Sequence, residues 1–209
     1  MKKLLLILIT IVSLPAYSQK SKKPAKASTA KITVLAKTGN LTAALTDQKG
    51  SAAFYLLSAK NGKTDSLLVK AIFNKAVENL PSECKITLFT TKGQKLHLLS
   101  WNEKSTTGDV KSKQEITTET HSQVWDVAAK KMVYANVNKV INITEIVFLD
   151  PGKNASKTVE KVRRDGFEFG LTTEGDITLK NKTQQEKLSY DAAEKKYVGF
   201  KSAQASKKK

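Results

Sequence analysis

From Pro81 onward, short runs of β-branched and aromatic residues alternate with turn residues, and this rhythm limits the fold more than any other feature of the chain. KITLFTT and QKLHLLSW flank Lys92 and Gly93, a two-residue connection suited to a tight hairpin. FEFGL alternates Phe167, Phe169 and Leu171 against Glu168 and Gly170, then turns through Glu174, Gly175 and Asp176 into ITLK. The β-branched stretch VNKVINITEIVFLD stops at Pro151 and Gly152, which mark a loop. The second half therefore reads as a meander of antiparallel hairpins.

Two of these hairpins resemble each other. WDVAAKKMVYA, from Trp125, and YDAAEKKYVGF, from Tyr190, align without a gap, 65 residues apart and identical at five of eleven positions. The shared residues predict a turn in which Asp126 and Asp191 accept bonds from the turn backbone. The paired lysines should stay in water and the aromatics should pack across the strands.

Before Pro81 the pattern changes. Val69, Ile72, Phe73, Ala76, Val77 and Leu80 recur at helical spacing, with Lys70, Asn74, Lys75, Glu78 and Asn79 off that stripe. Asp65 or Ser66 is placed to cap the start, so the spacing predicts one amphipathic helix over about residues 66–80, ended by Pro81. Residues 32–60 begin with a strand, ITVLAK. They continue either as a hairpin turning between Asp47 and Gly50 or as a strand followed by a short alanine-rich helix. The expected fold is α+β and strand-dominated: an antiparallel β-meander, sandwich or open barrel, packed with that one helix.

The ends carry different information. Lys2 and Lys3, the apolar run from Leu4 to Ile9, Ile11, and the small residues Ala16 and Ser18 read as a secretory signal peptide over residues 1–18. The style of that signal is bacterial. Gln19, not a cysteine, follows the expected cut, so no lipid anchor is expected there. No later stretch is long and apolar enough to span a bilayer as a helix. Residues 19–31 are lysine-, serine- and alanine-rich and lack the apolar surface to offset ordering, so they read as a flexible tether. Residues 201–209 read as a basic tail, leaving residues 32–200 as a single β-rich domain.

The net charge of +17 follows this division. Eleven of the 36 basic residues fall within 1–31 or 201–209, leaving 25 against all 19 acidic residues, a net +6 over residues 32–200. Such a balance does not call for nucleic acid. Lysine-rich ends beside a membrane attract anionic headgroups at about 1 kcal/mol per charge, and salt screens the effect. The single cysteine, Cys84, makes no internal disulfide, so burial alone must hold the domain.

Motifs for chemistry are few. His97 and His121 are the only histidines, and each sits in a strand pattern without a strained glycine turn around a serine. No CxxC or HxxxH pair announces zinc, and Asp150, Asp165 and Asp176 are scattered rather than gathered into a calcium loop. Phosphate-loop glycines of the GxxxxGK or GxGxxG kind do not occur. Paired carboxylates for glycoside hydrolysis come together only in a fold, and sequence spacing does not reveal them. No catalytic, cofactor or metal-binding residue is assigned on these grounds.

WDVAAKKMVYANVNKV and YDAAEKKYVGF, the latter preceded by GDITLKNKTQQEKLS, resemble the hairpin repeats of periplasmic proteins that bridge lipopolysaccharide between membranes. The likeness covers those two segments and lacks the glycine-asparagine-valine that usually follows the turn. It implies stacked, open-edged β-units with an apolar groove for lipid. The expected function is a non-catalytic binding or structural module of the bacterial envelope, periplasmic or extracellular. Anionic lipid headgroups or polysaccharide are the expected partners of its lysine-rich ends. A lipid or lipopolysaccharide carrier and an exported hydrolase without a recognisable motif stay open as alternatives.

Overall fold

A computed structural model describes residues 31–48, 51–72, 80–152 and 154–199, and these form thirteen antiparallel strands. The first sheet contains β1 (Lys31–Thr38), β2 (Leu41–Gln48), β3 (Ser51–Lys60) and β4 (Lys63–Ile72). The second contains β5 (Ser82–Thr91), β6 (Gln94–Asp109), β7 (Lys113–Asp126), β8 (Lys131–Phe148) and β9 (Ser156–Gly166). The third contains β10 (Glu168–Leu171), β11 (Ile177–Lys180), β12 (Gln185–Asp191) and β13 (Lys196–Gly199). Neighbours in sequence are neighbours in each sheet, so every connection within a sheet is a hairpin.

The expected helix over residues 66–80 is corrected by these strands: residues 66–72 belong to β4, and residues 73–79 lie outside the described residues. The described residues are all-β rather than α+β. A bulge explains the misreading. Phe54 pairs with Lys70 and Tyr55 with Leu68, which leaves Val69 as an extra residue in β4. The inserted residue lets Leu67 and Ile72, five apart, both reach the core. Strict alternation forbids that spacing, and beside Val69 it imitates a helical stripe. Asp65 caps no helix; it lies in β4 and accepts an ion pair from Lys130 Nζ at 3.0 Å.

The segment left open between hairpin and helix is a hairpin, with Leu41–Gln48 paired to Ser51–Ser58. Lys92 and Gly93 join β5 to β6 with φ of 45° and 79°, the mirror-image turn whose twist matches the flanking strands. The two similar hairpins share their turn chemistry. Asp126 Oδ1 accepts from the Ala129 amide, and Asp191 Oδ1 accepts from those of Ala193 and Glu194. The aligned lysines Lys130 and Lys195 both take left-handed φ, 54° and 49°. Across the strands Tyr190 meets Tyr197 edge-on at 5.4 Å, whereas Trp125 faces Met132.

Two cores lie on opposite faces of the second sheet. Leu41, Phe54, Leu56 and Leu67 of the first sheet pack against Ile86, Leu99, Trp101 and Trp125. Ile177, Leu179, Tyr190 and Tyr197 of the third sheet pack against Leu96 and Val124. Successive strand residues face opposite ways, so Leu98-Leu99 and Val124-Trp125 each feed both cores. Strands covered on both faces read as continuous apolar runs. The third sheet seats closely on the β5–β6 turn: a side chain at Gly175 would meet Thr91 Cβ at 2.6 Å, and the Tyr197 hydroxyl donates to the Gly175 carbonyl at 2.9 Å.

Strands β6, β7 and β8, of 16, 14 and 18 residues, outrun the strands that cover them. Ile116 and Val162 are exposed on this extension, and β9 is exposed along nearly its whole length. Among the described residues no helix is long and apolar enough to cross a membrane.

Candidate functional site

Where the extension emerges from beneath the third sheet, the β11–β12 turn overhangs the β8–β9 surface and encloses a cleft of about 790 Å³. Asn138, Val162 and Arg164 come from the second sheet; Lys180 ends β11, and Asn181, Lys182 and Thr183 come from the overhanging turn. Direct strand partners share a face, and Asn138 opposite Gly166, with Val140 opposite Arg164, puts the first group on the face that the third sheet covers farther along. Asn181 shapes the turn, its Oδ1 accepting from the amides of Thr183 and Gln184 at 2.9 and 2.7 Å. Glu168 accepts from Arg164 at 3.3 Å, and Asp165 accepts from Arg163 at the same distance. Asp165 and Glu168 also line the cleft, so its three cations, Arg164, Lys180 and Lys182, face two carboxylates, a net charge of +1 (3 − 2), and Lys180 and Lys182 have no ion-pair partner among the described residues.

A second constellation lies on the opposite face, at the margin of the first core. The β6–β7 register sets Trp101 against His121 and Glu103 against Glu119. The Trp101 and His121 rings stack at 4.7 Å and 2°. Trp101 Nε1 donates to Glu103 Oε1 at 2.9 Å, and Lys70 Nζ crosses from β4 to Glu103 Oε2 at 2.5 Å. Lys139 Nζ holds Glu119 Oε1 at 2.5 Å. His121 Nε2, shielded from solvent and without a hydrogen bond, stands 3.7 Å from Glu103 Oε1 and 3.4 Å from Glu119 Oε2.

The electrostatics follow from that packing. Burial, helped by the Lys70 and Lys139 charges, lowers the His121 pKa more than Glu103 and Glu119 raise it, which favours the neutral imidazole. For Glu119 burial acts upward, but the bond and charge of Lys139 outweigh it and hold the carboxyl below its ordinary range.

The residues weighed from sequence are thus divided. His121 joins two carboxylates rather than a serine. His97 stands apart, half-buried, with Nδ1 unbonded and its pKa lowered by burial against the opposing charge of Asp126. Cys84 is half-buried at the first core, where desolvation and then the Glu103 charge push the thiol up to about 11. Asp150, Asp165 and Asp176 have separate partners: the Ala155 amide, Arg163, and Ser189 with Lys187. The lysine-rich segments 19–30 and 201–209 lie outside the described residues, as does the signal-like segment 1–18, while Lys31 opens β1. Sequence reasoning missed Glu103, Glu119 and Lys70. The hairpin register carries the signal for the first two: once the β6–β7 turn is placed between Asp109 and Lys113, Glu103 falls opposite Glu119.

Compared with known proteins, the chain matches no family model, no curated protein and no solved structure.

Proposed function

We propose that the chain is an exported, non-catalytic binding module of the bacterial envelope that engages anionic lipid headgroups or polysaccharide. Its lysine-rich ends supply long-range attraction, and the cleft between the second and third sheets supplies the docking point. The observation that carries the reading is the placement of Arg164, Lys180 and Lys182 around one cleft, two of them without a carboxylate partner. Asn138, Asn181 and Thr183 add uncharged polar groups suited to the oxygens of a phosphate, carboxylate or sugar. Partly exposed cations interact modestly one by one, so affinity depends on several acting together and falls with salt.

Co-sedimentation tests this directly. The full chain should sediment with phosphatidylglycerol vesicles at low salt and not with phosphatidylcholine vesicles, and an acidic polysaccharide should compete. The triple variant R164Q/K180Q/K182Q should bind at least about tenfold more weakly, the loss of three contacts at about 0.5 kcal/mol each. Equal binding by the triple variant would remove the cleft from the proposal.

A further inference from the structure

We infer that Glu103, Glu119 and His121 form a binding site for a first-row divalent transition-metal ion, of which zinc is the natural candidate. One ligand atom from each residue lies within 4.8 Å of the other two. The observation that points to a ligand is His121 Nε2: it is buried, has no hydrogen bond, and is aimed between two carboxylate oxygens. Its separations from them, 3.7 and 3.4 Å, match the roughly 3.4 Å between ligand atoms set tetrahedrally about 2.1 Å from one ion.

The division of oxygens supports the same reading. Each carboxylate gives one oxygen to a lysine, Lys70 or Lys139, and turns the other toward Nε2. Outer bonds of this kind fix ligand direction, and the Trp101 N–H fixes Glu103 further. An imidazole with two carboxylates is a mixed nitrogen and oxygen set, which suits zinc, cobalt or manganese better than magnesium or calcium. The lysine charges oppose a second cation nearby, so modest affinity is expected. All three ligands lie on the adjacent strands β6 and β7, so an ion would tie those two strands together, while Lys70 of β4 and Lys139 of β8 hold the carboxylates from either side.

The test uses the full chain. In W125F, Trp101 is the only tryptophan, and its stacking on His121 makes it a local reporter. Cobalt should quench its fluorescence saturably, and zinc should compete; calorimetry with zinc should give one site per chain. H121F keeps a stacked ring without the nitrogen, and E119Q changes a less buried ligand; with thermal unfolding to confirm that each folds, both should lose at least about tenfold in affinity. C84S should bind as the parent does. Absence of saturable binding of either ion up to millimolar concentration would overturn the inference. So would a one-to-one site that survives H121F and E119Q, or one abolished by C84S.

Discussion

The two faces of the second sheet are covered by different means. The face toward the first sheet is a conventional core of Leu, Phe and Trp that ends in a charged network: every glutamate oxygen near His121 is bonded or aimed at the imidazole. The face toward the third sheet is built on tyrosines and tolerates loose polar ends, since Tyr190 and Thr91 are buried while their hydroxyls lack partners. The difference teaches where constraint lies. On the first face the carboxylates are fixed by Lys70, Lys139 and the Trp101 N–H, although His97 Nδ1 and His121 Nε2 stay unbonded there, so substitution within that network should cost much.

Trp101→Ala should be the most damaging change. It removes a fully buried ring packed edge-on to Phe54 at 5.2 Å and the N–H that orients Glu103, at a cost of about 3–5 kcal/mol in urea unfolding. A cost under about 1 kcal/mol would erase the distinction between the faces. The same face holds Cys84. With the thiol raised from its ordinary 9.0 to about 11, its thiolate population at pH 8 should be about a hundredfold below that of a free thiol, and iodoacetamide should react correspondingly slowly. Because the folded chain keeps the proton longer than the unfolded one, the stabilising contribution is complete below pH 9 and disappears as pH rises toward 11. An ordinary alkylation rate would place the thiol in water.

The similar hairpins give an intermediate effect. Asp126 is 2% exposed and Asp191 is partly open, though each serves the same turn. Asp126→Ala should cost about 1–2 kcal/mol and Asp191→Ala about half that, because water can replace the carboxylate at the second turn. The smallest effects belong to the tyrosines. Tyr197→Phe gives up the bond to the Gly175 carbonyl, about 1 kcal/mol, whereas Tyr190→Phe gives up a hydroxyl without a partner and should leave stability unchanged or raised. Equal losses in both would show that the Tyr190 hydroxyl is bonded in solution.

What could be read from sequence was local. The Lys92-Gly93 turn, the Glu174–Asp176 turn and the aspartate-led hairpins depend on residues adjacent in sequence, and each forms as expected. The stretch from Asp65 to Ile72 failed because a bulge broke the alternation on which strand recognition rests, and Val69 is visible as an extra residue only when β3 lies beside it. The charged network failed for a different reason. Lys70 reaches Glu103 only when the first sheet docks on the second, a contact that no local pattern encodes. The cleft is likewise a product of one sheet overhanging another, so Arg164 and Lys182 looked like ordinary surface charge.

The most direct test of the proposed function is amide hydrogen exchange of the full chain with and without phosphatidylglycerol vesicles. The account predicts added protection at residues 162–168 and 180–183, lost at high salt and in R164Q/K180Q/K182Q. Protection limited to residues 19–30 and 201–209, with residues 162–168 and 180–183 unchanged, would contradict it.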